Sequence, residues 1–497
     1  MTFDQNVLAY GDNLDYLRGL PTESVDLIYL DPPYNSKRDY NATFGADAQI
    51  KAFKDTWTWG KDDERALHHF AKEHPTLGQF MLALGGLLPK QGLYPYLVAM
   101  AIRLVEMQRV LKPTGSIYLH VDPTASHYLK LVMDQIFGGQ NFRNEIIWAY
   151  RGMPAKSRAF QKKHDVILFY AKSDQATFNV QLGQPTAGSL KTFESGMSRG
   201  YNANLSKKMV TVFDWDKYNH AVATKKLPCD LKPTEFSGGR PPLSDWWEDI
   251  RILGGPGNKE RTGYPTQKPL ALLERIILAS SNEGDVVLDP YMGSGTTCVA
   301  AAKLGRRFIG LDLTPLAVAT AKARLDQAGV DVTAIDYWGS PRDLASARHL
   351  FKQNVRDFDC WALMNCSAMP QDCMSRVFGL RNYMRFDSKG LHQERALYVT
   401  SLNEPPVLDD IARLRRLMTA QNAQLGLLIC FEYPTDPEVL QAVADAGLIK
   451  LNGDAKTTPK LQIITVQDVI DQSYLATEVF SHERVERQTP VQQMELV

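Results

Sequence analysis

The chain has 497 residues, an apolar content of 44% and equal numbers of basic and acidic residues, 56 of each. This composition is that of a globular protein long enough for two to four domains, and its neutral balance excludes a uniformly basic nucleic-acid binder. No apolar run reaches membrane-spanning length, the first residues lack a basic signal-peptide start, and the six cysteines form no CxxC pair, so we expect no membrane contact, no metal site and a cytoplasmic location.

The first informative segment is an apolar run that ends in a polar turn. Residues 24–30 are typical of a buried strand, and Asp31, Pro32, Pro33 and Tyr34 follow directly. Because prolines cannot continue a strand ladder, the strand ends there, at the sheet edge where ligands bind in α/β proteins. Asp31 and the Pro32 carbonyl can accept both hydrogens of a base's amino group, while Tyr34 stacks on its ring. A plain strand-ending turn is the alternative.

Residues 44–98 form an insertion between this turn and the next core helix. They contain Trp57 and Trp59, which we expect to pack a helical subdomain, although wedging into or covering DNA is the alternative. Further along, the residue patterns predict strands over 116–120 and 163–170.

A basic region lies in the middle of the chain. From Arg151 to Arg240 there are 15 lysines and arginines against 7 aspartates and glutamates. Such an excess in a neutral protein is typical of a DNA-facing element, although a solvated loop surface gives the same count. Residues 172–256, which also contain Trp246 and Trp247, are therefore the best candidate for target recognition.

A βαβ pattern follows the basic region. The strand 284–289 ends in Asp289, the turn 291–297 is rich in small residues, and the strand after the next helix ends in Asp312. The glycines allow close approach of a nucleoside-type ligand, and Asp312 is placed to bind ribose hydroxyls. NAD-dependent enzymes use the same combination of a glycine-containing turn and a following acidic residue. However, the turn has only two glycines, and Asp289 suits a cationic amine better than a phosphate, which favours S-adenosylmethionine.

A polar segment, Thr266-Gln267-Lys268, precedes a predicted helix over 270–279. Lys268 and its neighbours are placed to hold the carboxylate of a methionine group. A simple helix entry with proline capping is the alternative.

Together these segments resemble the β-type amino DNA methyltransferases, including the modification subunits of type III restriction systems. In that class the catalytic motif precedes the recognition region and the cofactor motif, which is the order found here over roughly residues 6–326. The resemblance implies a Rossmann-like α/β fold whose mostly parallel, seven-stranded sheet has one reversed strand. It also implies methyl transfer from S-adenosylmethionine to the N6 amine of a flipped adenine in DNA. A cytosine-N4 enzyme and a non-catalytic DNA-binding or regulatory protein are the alternatives.

The resemblance also implies site residues and partners. The implied catalytic residues are Asp31, Pro32, Pro33 and Tyr34. The implied cofactor-binding residues are Asp12, which would reach the adenine, together with Thr266, Gln267, Lys268, Asp289, Tyr291, Gly293, Ser294, Gly295, Thr296 and Asp312. Tyr291 stands where phenylalanine is common, so an aromatic ring is retained. The expected partners are double-stranded DNA, a second copy of the chain and a restriction subunit.

The carboxyl third reads as a smaller α/β domain after a linker at residues 337–341. It weakly resembles the Mrr-type restriction-nuclease fold. Asp387 fits the first metal-binding position, but the strand at 398–401 lacks the lysine of active members, so we expect no nuclease activity. A plain accessory fold is the alternative. The predicted organisation is a catalytic half (1–171), a recognition region (172–256), a cofactor half (257–330), an accessory domain (342–471) and a tail (472–497).

Overall fold

The computed structural model of the chain describes most of the sequence in separate ranges. These are residues 5–33, 39–44, 48–54, 59–88, 92–150, 158–183, 197–201, 208–212, 214–224, 232–235, 242–254, 258–366, 368–371, 377–387, 390–450 and 457–471. Tyr34, Trp57 and the predicted tail lie outside them. No helix within these ranges is long and apolar enough to cross a bilayer.

The strands are β1 (Val7–Tyr10), β2 (Val25–Leu30), β3 (Asp39–Phe44), β4 (Ala48–Lys54), β5 (Leu111–Val121), β6 (Phe142–Ala149), β7 (His164–Ala171), β8 (Met197–Tyr201), β9 (Lys208–Val212), β10 (Lys232–Glu235), β11 (Trp246–Trp247), β12 (Val286–Asp289), β13 (Arg307–Asp312), β14 (Asp336–Trp338), β15 (Met369–Gln371), β16 (Phe378–Asp387), β17 (Gly390–Thr400), β18 (Leu425–Cys430), β19 (Leu448–Lys450), β20 (Thr457–Pro459) and β21 (Leu461–Thr465).

The α-helices are α1 (Asn13–Gly19), α2 (Lys61–Glu73), α3 (Pro75–Leu87), α4 (Leu93–Val110), α5 (Ser126–Phe137), α6 (Trp215–Ala223), α7 (Leu270–Ser280), α8 (Thr296–Lys303), α9 (Pro315–Gln327), α10 (Leu344–Gln353), α11 (Val355–Asn365), α12 (Leu408–Ala420), α13 (Pro437–Ala444) and α14 (Val466–Ile470).

The predicted Rossmann-like α/β fold is confirmed. The main sheet has the order β11-β6-β7-β5-β2-β12-β13-β1-β14 in the described part of the chain. Only β7 runs against its neighbours, β5 and β6, and the other pairs are parallel. The sheet has nine strands instead of seven because the short strands β11 and β14 extend its two edges.

Both edge strands come from segments that were interpreted differently from the sequence. Trp246 and Trp247, assigned to target recognition, pair with β6, and Trp247 is buried. The expected linker at 337–341 is wrong in its first residues, because Tyr337 and Trp338 pair with β1. A three-residue strand is too short to leave a recognisable alternation in sequence.

Helices cover both faces of the main sheet. Along β1, Val7 and Ala9 belong to one hydrophobic core and Leu8 to the other. The first core is covered by helices including α4 and α5, and the second by α7, α8 and α9. All six residues of β2 are buried, including Asp26, which fits the absence of a polar alternation, since a strand covered on both faces need not alternate.

The insertion at 44–98 contains the helices α2 and α3. Trp59 stacks at a tilt on Tyr94 of α4, with ring centroids 5.0 Å apart, so this tryptophan has the packing role expected of it. In the predicted recognition region, the described residues between 197 and 235 form a small sheet of β8, β9 and β10 together with α6.

The carboxyl third forms the predicted small α/β domain, with a sheet ordered β15-β16-β17-β18-β21. Asp387 pairs with Gly390 at the turn between β16 and β17. Tyr398 lies at the other end of β17, roughly 27 Å away at about 3.4 Å per residue. The two segments compared with a nuclease site are therefore far apart. The domain contacts the main domain through α11, which packs on α9.

Candidate active site and cofactor pocket

The site lies at the carboxyl edge of the main sheet. The adjacent parallel strands β2, β12, β13 and β1 all end on this edge. Asp31 follows β2, Asp289 and Asp312 end β12 and β13, and Asp12 lies just after β1. Because parallel strands place their carboxyl ends together, four acidic residues that are distant in sequence meet in one row.

A cavity of about 500 Å³ runs along this row, a size typical of small-molecule sites. Every predicted site residue within the described ranges lines it except Gly295, and Tyr34 lies outside those ranges. The lining residues are Gly11, Asp12, Asn13, Tyr29, Asp31, Pro32, Pro33, Arg103, Tyr264, Pro265, Thr266, Gln267, Lys268, Leu273, Asp289, Pro290, Tyr291, Met292, Gly293, Ser294, Thr296, Thr297, Asp312, Leu313, Thr314, Arg356 and Asp357.

Asp31 lies at the end of the cavity nearest to β2. Its side chain is 14% exposed, and the Lys268 ammonium, whose side chain is 10% exposed, donates a hydrogen bond to its Oδ2. Lys268 was assigned to a methionine carboxylate, and the structure brings it against Asp31 in the same cavity. The carboxylate of Asp31 therefore already accepts a hydrogen bond from a nitrogen donor inside the pocket.

Asp289 is the most enclosed carboxyl group of the row. It is 2% exposed, and it accepts hydrogen bonds from the Thr297 hydroxyl at 2.5 Å and the Tyr291 amide at 3.0 Å. Burial raises the pKa of Asp289 to about 7, because the charged form loses its hydration. A cationic ligand at this position would offset that cost.

The small-residue turn brings backbone close to the cavity. Gly293 and Gly295 have φ values of +49° and +76°, a region that glycine adopts without strain. A Cβ on Gly295 would lie 2.5 Å from the Cβ of Ala321 in α9. Gly295 therefore does not line the cavity but allows the turn to pack closely on α9.

Arg324 of α9 holds the same turn from behind. Its guanidinium donates to the Ser294 carbonyl at 2.9 Å, to the Ser294 hydroxyl at 3.0 Å and to the Thr296 hydroxyl at 2.8 Å. Sequence reasoning missed this residue, since nothing in the helix pattern distinguishes it from a surface arginine.

Asp312 is oriented by its own strand end. It accepts from the Gly293 amide at 3.0 Å and from the Thr314 amide and hydroxyl at 3.0 and 3.1 Å. Burial raises the pKa of Asp312 to about 6. These hydrogen bonds join the turn after β12 to the end of β13. They therefore fix Asp289, the predicted contact of the amine, and Asp312, the predicted contact of the ribose, relative to each other.

Two further predicted residues, Asp12 and Gln267, have clear local partners. Asp12 caps α1 by accepting from the Leu14 amide at 2.9 Å, and it pairs with Arg103 at 2.8 Å. Gln267 braces its own loop, since its amide donates to the Glu260 carbonyl at 2.7 Å and accepts from Thr262. Thr266, in the same loop, has a φ of +59°.

A buried polar network lies behind Asp31. The Tyr29 hydroxyl is 2.9 Å from His120 Nδ1, and His120 Nε2 is 3.2 Å from Asp165, which also accepts from Tyr150. His120 is fully buried.

The comparison with known families confirms the relationship. A family profile described as DNA methylase matches residues 25–323, which is more than half of the chain. The chain belongs to the N6/N4 DNA methylase family. The match includes both the Asp31 turn and the Asp289–Asp312 unit, and it spans the basic region between them.

Individual relatives are similar over much of the chain. The type II methyltransferase M.HpaI of Haemophilus parainfluenzae is 29% identical, with 75% of this chain and 91% of the relative covered. The DNA adenine methyltransferase YhdJ of Escherichia coli K12 is 28% identical, with 65% and 84% covered. Among solved structures, a DNA modification methylase of Thermus thermophilus complexed with S-adenosyl-L-methionine is 19% identical and has a TM-score of 0.35. The match covers 67% of this chain and 98% of the methylase chain.

Proposed function

We propose that this DNA methylase transfers a methyl group from S-adenosylmethionine to the N6 amine of an adenine flipped out of DNA. The observation that carries the proposal is the position of Asp31, a largely buried carboxylate at the end of β2, in the same cavity as Asp289 and Asp312. Adenine is favoured over cytosine because the resemblance to amino DNA methyltransferases associates a turn that begins with aspartate with adenine, and because YhdJ, a relative, is named an adenine enzyme.

The residues at the sheet edge fit the donor. Asp289 lies enclosed where the cationic amine of the cofactor would balance its charge. Asp312 is fixed to accept from the ribose hydroxyls. Lys268, which pairs with Asp31, is proposed also to contact the methionine carboxylate of the cofactor. Bound there, S-adenosylmethionine supplies an electrophilic methyl group on a sulfonium. Asp12 and Tyr291 complete the proposed cofactor contacts.

Asp31 activates the amine by position. The exocyclic nitrogen of adenine is a poor nucleophile because its lone pair is delocalised into the ring. When Asp31 and the Pro32 carbonyl accept its two hydrogens, they draw the nitrogen towards tetrahedral geometry and direct the lone pair at the methyl carbon. The N–C bond would form as the S–C bond breaks, leaving a neutral thioether, and the nitrogen would then pass one proton to the Asp31 carboxylate. Positioning and fixed dipoles provide most of the acceleration.

The base must leave the duplex to reach Asp31, at a cost of a few kcal/mol. Tyr34 is proposed to stack on the flipped base and offset part of this cost. The recognition region predicted at 172–256, apart from the two tryptophans of β11, is proposed to bind the DNA backbone and read the sequence. We also propose that the protein forms a homodimer, associates with a restriction subunit and acts in the cytoplasm.

Nucleoside mass spectrometry tests the reaction. Unmethylated DNA is incubated with the full chain and S-adenosylmethionine bearing a deuterated methyl group, then digested to nucleosides. The expected product is deuterated N6-methyldeoxyadenosine, absent with Asp31→Ala. Deuterated N4-methyldeoxycytidine would instead identify the cytosine enzyme, and no labelled nucleoside on DNA of varied sequence would overturn the proposal.

A further inference from the structure

One wall of the cavity comes from the carboxyl-terminal domain. Arg356 and Asp357, in the first turn of α11, line the same cavity as Asp312 and Asp12. Neither residue belongs to the segments that resemble methyltransferases. The small α/β domain therefore does more than follow the catalytic domain in the chain, since its side chains form part of the pocket.

Hydrogen bonds fix Asp357 in place. The hydroxyl of Tyr10, the last residue of β1, donates to Asp357 Oδ2 at 2.7 Å across the domain boundary. The Asn354 amide group donates to the same oxygen at 2.5 Å, and the Asn354 side chain also caps α11. Tyr10 packs against the hydrophobic core of the carboxyl-terminal domain. The carboxylate is thus held at the cavity wall by both domains.

The position of Asp357 in the row identifies the part of the ligand it faces. The strands run in the order β2, β12, β13, β1, so Tyr10 and Asp31 are separated by three strand spacings, about 14 Å. If the methyl group lies at Asp31 and the ribose at Asp312, the nucleoside lies at the end where Tyr10 and Asp357 meet.

The chemistry of this end suits an uncharged nucleoside. Asp12, Asp312 and Asp357 line it, and carboxylates accept hydrogen bonds from hydroxyl and amino groups. Adenosine offers two ribose hydroxyls and one exocyclic amine and carries no phosphate.

We propose that the carboxyl-terminal domain completes the cofactor pocket, with Asp357 accepting a hydrogen bond from the adenosyl group of S-adenosylmethionine. This inference rests on the proposed function, because it takes its ligand from there. Tyr10 is a positioning residue that holds Asp357 and, with it, the first turn of α11 against the main domain.

Calorimetric binding of S-adenosylhomocysteine to full-length variants tests the inference. Asp357→Ala is expected to bind about tenfold more weakly than the unmodified chain, because a charge-assisted hydrogen bond is lost at a partly exposed site. Tyr10→Phe is expected to lose about threefold in affinity, since it removes one of the two hydrogen bonds that hold Asp357 but leaves its carboxylate in place. Asp409→Ala is the matched control: it removes an acid of the same domain whose side chain is 72% exposed and lies away from the cavity.

A second variant separates binding from folding. Asp357→Asn keeps an acceptor for the Tyr10 hydroxyl, so its melting temperature should match that of the unmodified chain while its affinity still falls about threefold. Affinities within a factor of 1.5 of the unmodified chain for both Asp357 variants would overturn the inference, as would an equal loss for Asp409→Ala. These binding measurements use no DNA. If the variants lose affinity as expected but the unmodified chain does not methylate adenine, the result contradicts the proposed function and leaves this inference intact.

Discussion

The ammonium of Lys268 donates a hydrogen bond to the carboxylate of Asp31, although the two residues are 237 positions apart. The contact joins the turn after β2 to the loop before α7. It places the predicted catalytic carboxylate and a predicted cofactor-binding cation side by side in a largely buried setting. The acceptor proposed for the target amine is therefore held by the cofactor half of the fold.

The first prediction concerns Asp31. Asp31→Ala should lower kcat for methyl transfer by at least about 100-fold, because one fixed acceptor at the reacting nitrogen is lost. The Kd for S-adenosylhomocysteine should change by less than about threefold, since Asp31 contacts the target base in this account. Transfer of labelled methyl groups to DNA and calorimetry measure the two quantities.

Asp409→Ala provides the control for Asp31, since this acid of the carboxyl-terminal domain has a side chain that is 72% exposed and pairs only weakly with Arg416 at the surface. It should keep normal kcat and affinity. Near-normal turnover by Asp31→Ala would remove Asp31 from the mechanism.

The second prediction concerns the small-residue turn. Gly295→Ala should destabilise the protein and weaken cofactor binding, because its Cβ would meet Ala321 at 2.5 Å. Gly284→Ala is a matched control. Gly284 also has a positive φ, +86°, but a Cβ there would meet no atom of the described residues within 4 Å, so only backbone strain of about 1 kcal/mol is expected.

Thermal unfolding and calorimetry compare the two glycine variants. Gly295→Ala should unfold at a clearly lower temperature than Gly284→Ala and bind S-adenosylhomocysteine at least about tenfold more weakly. Equal unfolding temperatures and equal affinities of the two variants would show that close packing of the turn on α9 is not needed for stability or cofactor binding.

The third prediction concerns pH and cofactor binding. The pKa values of Asp289 and Asp312 are raised to about 7 and about 6, and a cationic amine binds the ionised form of Asp289. The affinity for S-adenosylhomocysteine should therefore rise between pH 5.5 and 7.5. Asp289→Asn should remove the upper part of this rise, while the part that follows Asp312 remains. A dependence on pH that is identical in the variant would contradict the assignment.

The fourth prediction concerns stability without ligand. Asp289 holds its proton to about pH 7 when folded, whereas an unfolded aspartate loses it near the ordinary value of 3.8. Between these values the folded state binds more protons, so the free energy of unfolding should fall as pH rises from 4 to 7. Asp289→Asn should show a smaller fall in chemical denaturation, and an unchanged slope would show that this carboxyl group does not titrate with a raised pKa.

The sequence was informative where strong local chemistry coincides with regular structure. The strand before Asp31 and the βαβ unit from Asp289 to Asp312 were predictable because long apolar runs end in turns with glycine or proline. The single reversed strand, now seen as β7, followed from the family resemblance.

The remaining features depend on contacts between distant segments. Arg324 reaches the turn through the packing of α9, and Asp357 reaches the cavity only because the carboxyl-terminal domain packs on β1 through Tyr10. Short edge strands such as β14 have too few residues to show a period. Such features arise from tertiary structure and leave no local pattern.

The most direct test is a crystal structure of the full chain with S-adenosylhomocysteine. We expect the thioether sulfur at the Asp31 end of the cavity, the amino group at Asp289, and the adenosine between Asp312 and Asp357. A ligand bound in the opposite direction, or outside this cavity, would contradict it.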